Sequence, residues 1–184
     1  FFAKDMKLIS ILKSASKEPN GYENRPTVKA VVINEDNNTL LFGLSLLGGG
    51  VEEGESLEEA IHRECLEEAG ILVEIIAPLG EVIQYRDALK KRHEIQGFLV
   101  RFLHQQSEPT TTQAREMNRS LTWLTFNEAE SMLEKRIAEV EEVRETYSAG
   151  DAYQSALYSA TTALVFLREA KKVFPRIKNS TYLK

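Results

Sequence analysis

Eight carboxylates fall between residues 49 and 71: Glu52, Glu53, Glu55, Glu58, Glu59, Glu64, Glu67 and Glu68. Arg63 is the one Lys or Arg among them, while the whole chain of 184 residues carries only −5. So dense an acidic segment destabilises a fold by self-repulsion unless cations neutralise it. Glu64, Glu67 and Glu68 stand at i, i+3 and i+4, which puts them on one face of a helix. Hard divalent cations take oxygen ligands, and Mg²⁺ usually combines a few carboxylates with substrate phosphates and water. Arg63, just before the cluster, has the planar fork to hold a carboxylate bidentately and fix its orientation. The chemistry these types and spacings suit is cation-dependent chemistry on phosphates.

The elements that must position this face can be read from the flanks. Ser56 followed by Glu59 forms a capping box, so a helix should start near Leu57. Gly70 after Ala69 is a C-terminal stop. Leu57, Ile61, Cys65 and Ala69 recur every four residues and give the helix an apolar side. Gly48, Gly49 and Gly50 precede it, with Gly54 just before the cap. Glycines permit tight turns and close backbone approach to a ligand. A glycine-rich loop leading into an acidic helix is a platform for a diphosphate and a metal.

This segment resembles the Nudix box: Gly, five residues, Glu, seven residues, then Arg-Glu-U-x-Glu-Glu-x-Gly-U, with U bulky and apolar. Gly49, Glu55, Arg63, Glu64, Glu67, Glu68, Gly70 and Ile71 fall on its fixed positions, and Cys65 is a small choice for U. The resemblance implies an α/β/α sandwich with a mixed sheet, over roughly residues 27–136. It implies hydrolysis of a diphosphate linked to another group, commonly a nucleoside diphosphate derivative. Mg²⁺, with Mn²⁺ as the alternative, would be held by Glu64, Glu67 and Glu68, with Glu55 either a ligand or an orienter. Arg63 would organise the carboxylates, and Gly48, Gly49 and Gly50 would touch metal or phosphate. Glu116, ahead of the last strand, matches where many Nudix enzymes place a base or late metal ligand, and Glu94 is its rival. The basic cluster Lys90–His93 reads as a solvated hairpin tip or a phosphate contact. Tyr85 and Trp123 read as core aromatics or as stacking faces for a base.

Two departures bear on the site. The family usually has Leu-Pro before its paired glycines, and here Leu46-Leu47 stands there. The run Leu40–Gly48 is also short for the family, so residues are expected to be missing near Phe42 and Gly43, substrate contacts among them. A non-catalytic sensor of nucleotides or ADP-ribose is the alternative function, although no box glutamate is lost. An isopentenyl diphosphate isomerase-like enzyme needs a catalytic Cys outside the box, and Cys65 lies inside it.

The rest of the chain sets the frame. The length suits one domain with a sizeable core. The lone cysteine excludes an internal disulfide framework and suits a reducing, cytoplasmic compartment. No apolar run reaches membrane-spanning length, and the acidic balance gives no reason to expect nucleic acid as a partner. The reading divides the chain into a helix and loop (1–26), the Nudix domain (27–136) and a helical extension (137–184). Strands are expected at 27–34, 39–42, 72–77, 81–86, 95–104 and 121–126. A capped helix should start near Phe126 and run toward Tyr147. Tyr153, Leu157, Ala160, Leu164 and Leu167 repeat at helical spacing, and Pro175 should end that helix. Its stripe should pack on its own domain or on a second copy of the chain.

Overall fold

The apolar run at residues 28–33 alternates imperfectly because both of its faces are buried. In the computed structural model, which describes residues 6–14, 20–110, 120–144 and 151–178, this run belongs to a central strand. The strands are β1 (Leu8–Leu12), β2 (Glu23–Ile33), β3 (Thr39–Phe42), β4 (Ile71–Arg86), β5 (Lys91–Gln105) and β6 (Leu121–Leu124). They form one mixed sheet in the order β1-β4-β5-β2-β3-β6. Pairs β1–β4 and β2–β5 are parallel; the other three are antiparallel. The helices are α1 (Leu57–Ala69), α2 (Phe126–Glu142) and α3 (Asp151–Lys178).

The sheet is covered on both sides. Val28, Ala30 and Val32 of β2 pack with Ala60, Ile61, Cys65 and Ala69 of α1. Val31 and Ile33 face the other way, toward Leu133 of α2 and Ala163, Phe166 and Leu167 of α3. This is the expected α/β/α sandwich, and the C-terminal helices supply one of its outer layers. The stripe of α3 packs against its own sheet.

Three elements differ from expectation. Residues 8–12 form an edge strand, not a helix; β1 pairs with residues 81–84 of β4, whose outer edge would otherwise be open. The two strands expected at 72–77 and 81–86 are one strand, β4, whose register shifts around Ile75/Ala77 and Pro78/Gly80. Bulges absorb the proline without ending the strand. Pro175 lies inside α3; it removes one helical hydrogen bond, but so close to the helix end that the last turn continues. The boundary expected between 26 and 27 falls inside β2. The short run after β3 is closed by a turn in which Phe42 N–H donates to Ser45 O at 3.0 Å. Among the described residues, no helix is long and apolar enough to cross a membrane.

Candidate functional site

α1 begins and ends as its caps dictate. Ser56 and Glu59 make both capping-box bonds, and Gly70 adopts the left-handed cap at φ 66°. With the apolar side of α1 fixed on the sheet, the opposite edge turns Glu64 and Glu68 toward the glycine loop. Both are buried, at 7% and 4% exposure. The loop runs along β2: Val28 N–H donates to Gly49 O at 2.9 Å, and Ala30 N–H to Leu47 O at 3.0 Å. Gly48 sits at φ 124°, and a Cβ there would strike the Val28 carbonyl. A Cβ on Gly49 would strike the Glu64 carboxylate. Gly48 requires glycine because backbone meets it there at positive φ, while a side chain at Gly49 would displace the Glu64 carboxylate.

Arg63 braces the acidic face. Its Nε and Nη2 donate to the two oxygens of Glu55 at 2.7 and 2.9 Å, and Nη1 donates to Glu64 Oε1 at 2.9 Å. Nη2 also donates to Gly50 O at 2.9 Å, and Glu67 Oε2 lies 3.5 Å from Nη1. Glu55 Oε2 accepts a further bond from Glu52 N–H at 2.9 Å. The Arg63 fork holds the Glu55 carboxyl below its usual range. Burial pushes the Glu64 carboxyl up, against the pull of Arg63. Glu68 Oε2 accepts from Gly48 N–H at 2.7 Å. Lys29 Nζ donates to Leu46 O at 2.9 Å and to Gly48 O.

These groups open onto a cavity of about 150 Å³. Glu64, Glu68 and Gly48–Gly50 form one end. Arg25, Lys29, Arg86 and His93 contribute cationic or titratable groups, and Gln84, Ser155, Ser159 and Thr162 contribute hydrogen-bonding ones. The donor set fits a hard divalent cation in kind, since it offers carboxylate oxygens on one helix face. The carboxylates are not gathered on one point: among the described residues, no three acid, imidazole or thiol groups are placed to hold a metal ion. Glu67 leans on Arg63, with its side chain 47% exposed, and Glu68 is turned to the Gly48 amide.

Residues 23–146 match the NUDIX domain family. The chain belongs to the Nudix family. Nudix hydrolases act on phosphoric anhydrides, and they generally use divalent metal ions. Among solved structures, the MutT protein from Methanosarcina mazei Go1 is similar at 20% identity and TM-score 0.50, over 83% of this chain and 96% of that one. A MutT NUDIX hydrolase from Burkholderia pseudomallei matches at 23% identity and TM-score 0.47, over 57% and 85%. A NUDIX hydrolase from Nitrosomonas europaea matches at 16% and 0.47, over 76% and 90%. No curated protein matches the chain.

The Nudix box residues are thus brought together, and several other candidates are not. Glu116 lies outside the described residues. Glu94 is paired with Arg92 and does not line the cavity. Lys90 and Arg92 lie over the rings of Tyr22 and Tyr85, Lys91 bridges to Glu23, and His93 alone of that cluster lines the cavity. Tyr85 meets Tyr22 edge to face and Trp123 meets Phe102 in the same way, both away from the cavity. Cys65 is fully buried, and burial with Glu68 and Glu64 nearby pushes its thiol far above the usual range. A thiol held so firmly protonated is no nucleophile.

Sequence reasoning missed Arg25, Lys29, Gln84, Arg86, Ser155, Ser159 and Thr162. The strand members carried a faint signal. Arg25, Thr27 and Lys29 alternate along β2, and Gln84 and Arg86 along β4, so each set shares one sheet face. The hydroxyls of α3 carried none.

Proposed function

We propose that this Nudix protein hydrolyses a nucleoside diphosphate linked to another moiety, with Mg²⁺ required and water attacking a phosphorus of the diphosphate. The supporting observation is the Arg63 brace, which ties Glu55, Glu64, Glu67 and the Gly50 carbonyl into one array beside a cavity. Glu64, Glu67 and Glu68 are assigned to hold the cation, once Glu67 rotates away from Arg63. Glu55 has both oxygens engaged, so its role is to position Arg63. A bound divalent cation supplies charge neutralisation on the diphosphate and lowers the pKa of water.

This chain's own groups supply the rest. Burial raises the Glu64 carboxyl even with Arg63 beside it, so a further positive charge would favour its ionised form. Gly48–Gly50 let the phosphates approach the backbone. Glu116 is assigned as general base or late ligand from its place before β6. A lone cysteine suits a reducing, cytoplasmic setting. The test is a screen of nucleoside diphosphate derivatives with and without Mg²⁺. Hydrolysis of at least one, abolished by chelation, is expected. Tight binding of one with turnover of none would overturn the reading in favour of a sensor.

A further inference from the structure

A diphosphate brings negative charge to a site that already holds Glu64 and Glu68, so positive side chains with open donors matter there. Several of the groups around the glycine loop are committed. Arg63 gives its N–H groups to Glu55, Glu64 and the Gly50 carbonyl. Lys29 Nζ donates to the Leu46 and Gly48 carbonyls, and Arg86 is engaged as well. Polar groups under α3 satisfy one another. Gln84 Nε2 donates to Thr162 Oγ1 at 2.6 Å and to Tyr158 O at 3.2 Å, and the Ser159 hydroxyl donates to that of Ser45 at 2.8 Å.

Arg25 differs. It lies on the exposed first part of β2, on the same sheet face as Thr27 and Lys29. It lines the cavity with Glu64, Glu68 and Gly48–Gly50, yet the residue is exposed, so it stands at the cavity rim. Its guanidinium forms no hydrogen bond or ion pair with any described residue. It rests against Gly50: a Cβ there would come within 3.3 Å of Nη2, 3.5 Å of Nε and 3.8 Å of Cζ. The guanidinium therefore lies along the bare backbone of the loop. The Gly50 carbonyl in turn accepts from Arg63, which also donates to Glu64. Gly50 thus separates an engaged guanidinium from an open one. A guanidinium fork binds phosphate oxygens through paired N–H donors.

We infer that Arg25 binds the substrate's diphosphate at the cavity rim, holding phosphate oxygens against the glycine loop while the acidic face of α1 holds the cation. This rests on the hydrolase reading above. Arg25 forms no ion pair with the carboxylates of α1, so its role is to bind substrate and not to orient them. Its replacement should leave the unfolding midpoint unchanged, since an exposed side chain without partners contributes little to stability.

The probe is methylenediphosphonate, a diphosphate analogue whose bridging carbon resists hydrolysis, titrated by calorimetry with Mg²⁺ present. Wild-type protein should bind it. Arg25→Gln should bind it about tenfold or more weaker, the size of a lost charge-assisted contact. Arg25→Lys, which keeps the charge without the fork, should fall between the two. The gap between wild type and Arg25→Gln should narrow as salt is raised, because the contact is exposed. Equal affinity of wild type and Arg25→Gln, or no binding by wild type at millimolar probe, would overturn the inference. On the best substrate of the screen, Arg25→Gln should raise KM about tenfold or more with kcat kept. Hydrolysis with KM unchanged in that variant overturns the inference and leaves the hydrolase reading standing. If no compound is hydrolysed, the hydrolase reading fails separately, and the diphosphonate titration still decides the role of Arg25.

Discussion

α1 and α3 both reach the cavity, and they do so by opposite means. α1 brings charge: buried Glu64 and Glu68, braced by Arg63, at the end of a helix whose caps and apolar side were each visible as a pattern. α3 brings small hydroxyls, set among alanines on a helix that looks like ordinary core packing. The difference lies in what each residue type needs in order to have meaning. A run of carboxylates is unfavourable by itself, so it points to a cation wherever it occurs. A serine is neutral in most settings, and acquires a role only from what lies opposite it. Ser159 and Thr162 matter because Ser45 and Gln84 happen to lie beneath them.

The contrast can be broken at either helix. On the α3 side, Phe166 is fully buried, and a Cβ on Gly97 of β5 would strike its ring. Phe166→Ala should therefore cost about 3–5 kcal/mol in urea unfolding. A loss below about 1 kcal/mol would mean that α3 is an appendage and not part of the core. On the α1 side, Arg63→Ala should lower kcat/KM by about 10–100-fold, as expected when the support of a metal ligand is removed, and should also lower the unfolding midpoint because buried Glu64 loses its partner. Full activity in that variant would make the brace irrelevant to the chemistry.

The smallest effect lies where β4 meets α3. Burial alone would raise the Asp87 carboxyl, but hydrogen bonds from Ser14, Tyr22 and Gln154 outweigh it and hold it below its usual value of 3.8. A depressed carboxylate contributes stability above its unfolded pKa and loses it as pH falls through the folded one. Asp87→Asn should therefore be about 1 kcal/mol less stable near neutral pH. Its stability should also fall less steeply than that of the wild type in acid titration below about pH 4. Parallel acid curves for the two proteins would remove Asp87 from the α3 anchor.

Legibility followed the same division. The box helix was readable to the residue, because capping, charge and apolar spacing agreed over the whole of Leu57–Ala69. β2, β5 and α2 were readable in kind, with ends off by a few residues. β1 was not: Leu8, Ile9, Ile11 and Leu12 suit a helix or a strand, and the open edge of β4 decides between them. β4 was split in two because Pro78 and Gly80 are breakers locally and bulges in the sheet. Arg25, Lys29 and Arg86 stayed hidden as cavity-lining residues because they come from strands far apart in sequence. The β2–β5–β4 order brings them to one cavity.

The central claim is that the carboxylate face of α1 carries the hydrolysis. Glu67 tests it most cleanly, because its exposed side chain can be changed without opening the core. The decisive measurement is Mg²⁺-dependent phosphoanhydride hydrolysis by wild type and Glu67→Gln side by side, on the best substrate of the screen. The account predicts loss of most activity, at least about tenfold, with an unchanged unfolding midpoint. Equal turnover by the two proteins would contradict it and remove Glu67 from the site.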